Sequence, residues 1–170
     1  NPKWNETNMV SSLECSDSWL NKYHCIVSYG DIFYQHKAIK KLMLCKDKMA
    51  ITYDPNWKSI WEKRFDDPLD DAETFILNDD NTISEIGKKP KSFNQIQGQY
   101  MGLTKFTPKA WGKVKELRMK MNRQKKSRMD MTSLFQEIIE DGEIRLKGLV
   151  YKQEWGEIDS ETDLIAFQNN

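Results

Sequence analysis

The sequence has no excess of either charge and no long apolar run. Lys and Arg together number 26, as do Asp and Glu, so the formal net charge at pH 7 is zero. Dedicated binders of nucleic acid or of anionic membranes carry an excess of positive charge. No segment approaches the roughly 20 consecutive apolar residues of a membrane span, and no signal-peptide pattern opens the chain. We therefore expect neither nucleic acid nor a membrane among the partners.

Cysteine and histidine are scarce as well. The three cysteines, Cys15, Cys25 and Cys45, are odd in number and none forms a C-x-x-C pair. This usage favours a reducing compartment, the cytoplasm, over a disulfide-linked fold. His24 and His36 are the only histidines, so the ligand clusters of a structural zinc site are absent.

The order of strand and helix patterns predicts one α/β domain. Apolar runs at residues 23–29 and 49–53 flank a helical pattern that starts at Ile32, and this order predicts a βαβ unit with parallel pairing. We therefore expect a mixed, mostly parallel sheet with helices on its faces. The segment 56–71 is rich in Trp, Pro and acids and is interpreted as irregular.

The second half of the chain has clearer boundaries. Two short runs at residues 74–77 and 82–86 flank a turn sequence and predict a hairpin. Thr107-Pro108 is a typical helix start, and Gly142 is suited to end a second helix. Further elements are expected as strands at residues 99–106 and 144–151 and a last helix that opens at Ser160.

Two acidic residues follow predicted strands. Asp31 comes directly after a buried run and Gly30, and Asp159 lies between the late strand and the last helix. Ligands of open α/β sheets gather at the carboxyl ends of strands, where an aspartate is well placed to hold a metal. Helix capping by Asp31, and by Asp159 or Ser160, explains the same positions. The residues alone leave both interpretations open.

Lysines and glycines form a further candidate group. Lys88 and Lys89 at the end of the hairpin could neutralise a phosphate, and Gly98 and Gly102 permit close approach of a ligand to the backbone. Taken alone, these residues are better explained as solvated lysines and ordinary strand glycines. The basic run at residues 113–128 has an apolar stripe, which favours a solvated helix face followed by an exposed loop over a nucleic-acid patch.

Seven short motifs occur in a fixed order along the chain. They are Thr7-Asn8 with Ser12-Leu13, Gly30-Asp31, residues 66–74, Ile86-Gly87-Lys88-Lys89, residues 97–102, residues 130–134, and Trp155-Gly156-Glu157-Ile158-Asp159. Together they resemble the nucleotidyltransferases that couple a nucleoside triphosphate to a phosphorylated small molecule. The branch they resemble is the phosphocholine cytidylyltransferase-like one of bacterial surface-polysaccharide and phosphonate pathways.

The resemblance implies a Rossmann-like three-layer αβα sandwich and a set of catalytic residues. By position in the motifs, Asp31 and Asp159 would share a catalytic Mg²⁺. Lys89 would bind the phosphate of the acceptor, with Lys88 as the second candidate. The implied reaction is attack of that phosphate on the α-phosphorus of CTP, with release of pyrophosphate.

The resemblance also implies binding residues on both sides of the reaction. The nucleotide side would comprise Thr7, Asn8, Ser12 and Gly30. The acceptor side would comprise Lys88, Gln99, Tyr100, Gly102, Trp57 and Trp155, with the aromatic side chains facing an onium group. Met9 and Ser11 stand where many relatives have Asn and Tyr.

One hallmark of the family is absent from the sequence. None of the eight glycines lies in a Gly-x-Gly-[Ser/Thr]-Arg loop, whose backbone N–H groups would hold the triphosphate. We therefore expect residues 1–170 to be a single nucleotidyltransferase-like domain that is truncated at its N-terminus and inactive alone. Two other functions stay open, a sugar-1-phosphate nucleotidyltransferase and a non-catalytic interaction module.

Overall fold

A computed structural model describes residues 1–168, which form eight α-helices and eight strands. The helices are α1 (Met9–Glu14), α2 (Asp17–Leu20), α3 (Lys37–Leu44), α4 (Lys58–Arg64), α5 (Pro108–Lys120), α6 (Arg123–Arg128), α7 (Met131–Asp141) and α8 (Glu161–Gln168). The strands are β1 (Cys25–Ser28), β2 (Ile32–Tyr34), β3 (Met49–Asp54), β4 (Phe75–Leu77), β5 (Ile83–Ile86), β6 (Gln99–Phe106), β7 (Leu146–Val150) and β8 (Trp155–Glu157).

The main sheet has four strands in the order β1-β6-β3-β7. The predicted mixed α/β sheet is confirmed, but the expectation that it is mostly parallel is wrong. Only β3 and β7 pair in parallel, whereas β6 runs antiparallel to both β1 and β3. The predicted βαβ unit does connect two strands of like direction, yet β1 and β3 do not pair because β6 lies between them.

Helices cover both faces of this sheet, so the three-layer arrangement is confirmed. All six residues of β3 are buried, and they alternate between two cores. Ile51 packs with side chains of α5 and α7, such as Trp111 and Phe135. Ala50 packs on the other face with Leu42 of α3 and with α4. A strand buried on both faces is expected to be apolar throughout, as this one largely is.

Two small sheets accompany the main one. The predicted hairpin is confirmed as the antiparallel pair β4–β5. The helical pattern that starts at Ile32 is wrong at its beginning, because Ile32–Tyr34 is strand β2 and pairs antiparallel with β8. The helix itself begins at Lys37. The chain is drawn into a strand here because Trp155–Glu157, more than 100 residues away, supplies a partner.

The segment 56–71 is more ordered than its composition predicts. It forms helix α4 and a single 3₁₀ turn at Pro68–Asp70. Trp57 and Trp61 are both buried in the core below the main sheet, and their spacing of four residues places them on one helical face. Their burial favours the helix over an irregular loop.

The predicted helix ends at Thr107 and Gly142 are confirmed. Asn8 caps α1, and Thr107 accepts from the amide of Ala110 at the start of α5. Gly142, with φ of 75°, ends α7 in the left-handed conformation that glycine adopts readily. The exposed loop expected after α5 is instead α6, because the Asn122 side chain accepts from the amide of Lys125 and caps it.

No helix within residues 1–168 combines the length and the apolar character that crossing a membrane requires.

Candidate active site

The pairing of β2 with β8 brings Asp31 and Asp159 to one place. Ile32 pairs with Glu157, and the amide of Ile158 donates to the carbonyl oxygen of Asp31 at 2.9 Å. Because the strands are antiparallel, the residue before β2 lies beside the residues that follow β8. One carboxylate oxygen each of Asp31, Glu157 and Asp159 lies within 4.8 Å of the others. We call these residues the three-carboxylate group.

Helix capping does not account for either aspartate. Asp31 precedes a strand rather than a helix. At the start of α8 the predicted cap is Ser160, whose hydroxyl accepts from the amide of Asp163 at 3.2 Å. Asp163 in turn accepts from the amides of Asp159 and Ser160, at 3.1 and 3.0 Å. The carboxylate of Asp159 is thereby left free of the capping role and points to the same place as that of Asp31.

Sequence reasoning missed Arg64, the cation beside this group. Its guanidinium donates to Glu157 at 3.0 Å, to Asp159 at 2.6 Å and to Asp163 at 2.8 Å, and only 3% of its side chain is exposed. Arg64 lies in α4, in the segment interpreted as irregular. The spacing of Trp57, Trp61 and Arg64 fits a helix and is the signal that could have placed it.

A second acidic group lines the same cleft. It consists of Asp71, Glu73 and Asp130, and the hydroxyl of Thr132 donates to Glu73 at 3.1 Å. Burial raises the pKa of Glu73 to about 7, and the charges of Asp130 and Asp71 add to the effect against the Thr132 hydrogen bond. The indole of Trp61 donates to Asp71 at 3.0 Å. The sequence motif of residues 66–74 contains Asp71 and Glu73, and that of residues 130–134 contains Asp130, but no role followed from either motif.

Both acidic groups line one cleft of about 430 Å³, which we call the acidic cleft. Its lining residues are Asn8, Met9, Tyr29, Asp31, Trp61, Asp71, Glu73, Gln99, Tyr100, Asp130, Thr132, Glu157 and Asp159. Six of them are acids, and within the described chain none of the lining residues is Lys or Arg. A space lined in this way favours cations and hydrogen-bond donors.

The two predicted phosphate-binding lysines are not among these lining residues. Lys89 donates to the carbonyl oxygens of Leu69 and Asp70, each at 2.5 Å. Lys88 is paired with Glu85 at 2.8 Å and lines a separate cavity of about 480 Å³ beside α6 and α7. Their role toward a phosphate stays a prediction.

The predicted nucleotide-side residues divide in two. Asn8 lines the acidic cleft, and Gly30 directly precedes Asp31 with open space around it. Thr7 and Ser12 instead accept hydrogen bonds from the amide of Asn1, at 3.0 and 2.9 Å, and hold the first turns of the chain.

Gln99 and Tyr100 line the cleft, as an acceptor-side role requires. The amide of Gln99 also binds the backbone of Glu73 in both directions, at 3.2 and 2.6 Å, and so fixes the second acidic group. Gly102 has φ of 79°, and a side chain there would lie 2.9 Å from the ring of Tyr29. This close approach explains the glycine without a ligand.

Neither predicted tryptophan lines the acidic cleft. Trp57 is buried against Trp61 and Phe93. Trp155 is buried as well, and its indole donates to Asp54 at 2.8 Å. Tyr100 is therefore the one member of the predicted aromatic set that reaches the cleft in the described structure.

A curated relative decides the family. The chain is 34% identical over 175 residues to a CTP:phosphoglutamine cytidylyltransferase of Campylobacter jejuni, across 96% of this chain and 68% of the relative. The chain belongs to the nucleotidyltransferase family of enzymes. The resemblance inferred from its motifs is thus confirmed. No family model matches the chain.

Solved structures of nucleotidyltransferases share the fold. An inositol-1-phosphate CTP transferase from T. maritima superposes with a TM-score of 0.71 over 93% of this chain, at 19% identity. A protein described as a glucose-1-phosphate thymidylyltransferase from Bacillus anthracis gives 0.65 over 92%, at 13% identity. This nucleotidyltransferase chain spans 58% of the length of each of them.

Proposed function

We propose that this nucleotidyltransferase transfers a cytidylyl group from CTP to a small phosphorylated or phosphonate acceptor in the cytoplasm and releases pyrophosphate. The observation that carries the proposal is the meeting of Asp31, Glu157 and Asp159 in the acidic cleft. The Campylobacter relative supports CTP as donor, since its name states that it couples CTP to phosphoglutamine.

The donor set of the three-carboxylate group fits a magnesium ion. Mg²⁺ prefers carboxylate and water oxygens and is commonly held by one or two carboxylates together with substrate phosphates. Asp31 and Asp159 would hold it, with Glu157 next to them. When bound, the ion would neutralise charge on the triphosphate.

The chemistry itself requires little from the protein. An oxygen of the acceptor phosphate attacks the α-phosphorus of CTP, a new P–O bond forms, and the bond to the bridging oxygen breaks so that pyrophosphate leaves. The attacking oxygen is already anionic, so no general base is needed. The residues of the cleft align the two substrates and exclude water from the reacting phosphorus.

The second acidic group favours an acceptor that also carries an amine or ammonium. Asp71, Glu73 and Asp130 offer negative charge and hydrogen-bond acceptors, and Tyr100 offers a ring face. A neutral sugar phosphate would leave these charges uncompensated. We infer an acceptor of the phosphocholine type, in which a phosphate and a nitrogen are joined by a short linker.

A panel of substrates tests this function in the full-length gene product. Pyrophosphate release would be compared for CTP and the other triphosphates, each with phosphocholine, phosphoethanolamine, an aminoalkylphosphonate, phosphoglutamine and glucose-1-phosphate. We expect CTP with a nitrogen-bearing acceptor to be fastest. Preference for the sugar phosphate would support a sugar-1-phosphate nucleotidyltransferase, and no turnover with any pair would support an interaction module.

The same assay applied to residues 1–170 alone tests the consequence of the absent Gly-x-Gly-[Ser/Thr]-Arg loop. Without backbone donors and an arginine on the triphosphate, neither its charge nor the geometry of the leaving group is controlled. We expect no appreciable pyrophosphate release from this segment. Robust release would show that other residues hold the triphosphate.

A further inference from the structure

Arg64 holds two carboxylates of the proposed metal site by one oxygen each. Its Nη1 binds Oε2 of Glu157, and its Nη2 binds Oδ2 of Asp159. A planar guanidinium fixes the plane and the distance of the groups that it bridges, which a flexible ammonium does not. Neither bond engages the second oxygen of its carboxylate.

Asp163 completes the arrangement from the other side. Its Oδ1 accepts from Nε of Arg64, and its Oδ2 accepts from the amides of Asp159 and Ser160 and from the Ser160 hydroxyl at 2.8 Å. Only 9% of its side chain is exposed. Asp163 therefore fixes the backbone that carries Asp159 while Arg64 fixes its side chain.

We propose that Arg64 and Asp163 form a clamp that positions Asp159 and Glu157 to hold the divalent ion. The inference rests on the metal site of the proposed function. Both are positioning residues, since they act through the three-carboxylate group and not on the substrates. Arg64 and Asp159 are 95 residues apart in sequence, so the clamp joins α4 to the segment that leads into α8.

The charges show that the clamp does not replace the ion. Arg64 supplies one positive charge, whereas Asp31, Glu157, Asp159 and Asp163 carry four carboxylates. A divalent cation still reduces the repulsion among those that remain unbalanced. If Arg64 merely stood in for the metal, its removal would strengthen metal binding, which is the opposite of what positioning predicts.

Manganese binding to the full-length gene product tests the clamp. Free Mn²⁺ is counted by electron paramagnetic resonance, and Asp31→Asn identifies the ions held at this site. We expect the dissociation constant to rise about tenfold or more in Arg64→Gln and in Asp163→Asn. Arg64→Lys keeps the positive charge but loses the planar guanidinium that bonds both carboxylates. We therefore expect its affinity for Mn²⁺ to lie between those of Arg64→Gln and wild type.

Lys113→Gln is the matched control, since Lys113 is also a buried cation among three acids but lies outside the cleft. Unchanged or tighter binding in Arg64→Gln, with a wild type that binds, would overturn the clamp alone. A wild type that binds no Mn²⁺ at Asp31 would overturn the clamp and the metal site together. Should Arg64→Gln fail to fold, the comparison of Arg64→Lys with wild type decides, and equal affinity there overturns the clamp.

Discussion

Two buried cations in this molecule each contact three carboxylates, but only one of them lies at the acidic cleft. Arg64 contacts Glu157, Asp159 and Asp163 at the acidic cleft. On the far side of the sheet Lys113, with 5% of its side chain exposed, contacts Glu116, Asp141 and Glu143. Each of these two cations has three acidic partners, and Lys120 adds a second cation to the Lys113 cluster through Glu116.

The two clusters differ in one carboxyl group, Glu157, whereas the pKa of Asp163 is lowered like those at Lys113 because hydrogen bonds from Arg64 and Ser160 outweigh its burial. At Lys113, its hydrogen bond lowers the pKa of Asp141, and hydrogen bonds from Lys120 and Lys113 lower that of Glu116. At Arg64, burial raises the pKa of Glu157 despite the guanidinium, and the charges of Asp159 and Asp31 add to the rise. The Lys113 cluster is a completed network of ion pairs, whereas the cleft retains negative charge that a ligand can use.

The largest expected difference between the two clusters is in turnover. Asp31→Asn or Asp159→Asn in the full-length gene product should lower kcat by about 1000-fold, since a metal supplies several kcal/mol to the transition state. Asp141→Asn, the same change in the Lys113 cluster, should stay within about twofold. Steady-state pyrophosphate release measures both. Near-normal turnover in Asp159→Asn would refute the assignment.

The second largest expected difference is in how the free energy of unfolding depends on pH, which has opposite signs for Glu73 and for the acids at Lys113. The pKa of Glu73 is raised to about 7 from an ordinary 4.5, so the folded state holds a proton that the unfolded state has lost. This stabilisation is complete below about pH 4.5 and is lost as pH rises through 7, which amounts to about 3 kcal/mol. Glu73→Gln should remove it, as followed by urea unfolding between pH 5 and 8.

The acids that contact Lys113 give the opposite pH dependence of stability in the same series of unfolding measurements. Because the pKa values of Asp141 and Glu116 are lowered, their stabilisation is present above their ordinary values and is lost as pH falls through the lowered ones. Glu73→Gln should leave this loss of stability at low pH unchanged. A wild type whose stability does not decline between pH 5 and 8 relative to Glu73→Gln would contradict the raised pKa.

Magnesium should distinguish the clusters by a smaller amount. At ten times the dissociation constant, a ligand of the folded state alone adds about 1.4 kcal/mol and raises Tm by about 3–6 °C in a protein of this size. We expect this rise in wild type and in Lys113→Gln and none in Asp159→Asn. Differential scanning fluorimetry with and without MgCl₂ measures it. An equal rise in all three proteins would place the ion elsewhere.

The smallest effect is on the Lys113 network itself. Glu116 and Glu143 are largely exposed, so solvent screens much of their attraction to Lys113. We expect Lys113→Gln to lower Tm by about 2–4 °C and to leave kcat unchanged. A loss of kcat without a loss of Tm would show that this cluster, too, acts on the site.

The proximity of Asp31 and Asp159 was predictable from motifs, but the strand pairing that brings them together was not. Each acid lies next to an apolar run, and the resemblance implied a shared ion. The expected route was two strands that end at one edge of a parallel sheet. The observed route is the pair β2–β8, which depends on the long-range match of Ile32 with Glu157. A strand of three residues is too short to show a period, so this pairing left no local signal.

The positions of Arg64 and Glu73 in the site could not be predicted from their neighbours in the sequence. The helix that carries Arg64 could be found from its tryptophans, yet its three partners lie 93 to 99 residues away. The acidic stretch that contains Glu73 looks solvated, and its burial follows only from packing beside Gln99 and Thr132. By contrast, the cap at Thr107 depends on a neighbour three residues on, and here the prediction agrees with the structure.

The pair β2–β8 has three residues in each strand, and the three-carboxylate group depends on it. Isolated pairs of this length have marginal stability in water, whereas β3 is hydrogen-bonded on both sides in the centre of the main sheet. Amide protons of β2 and β8 therefore exchange with solvent through local opening, at a lower free energy than those of β3. The proposed metal site is assembled on a strand pair that opens more readily than the main sheet, so a bound ion would stabilise a part of the fold with few backbone hydrogen bonds of its own.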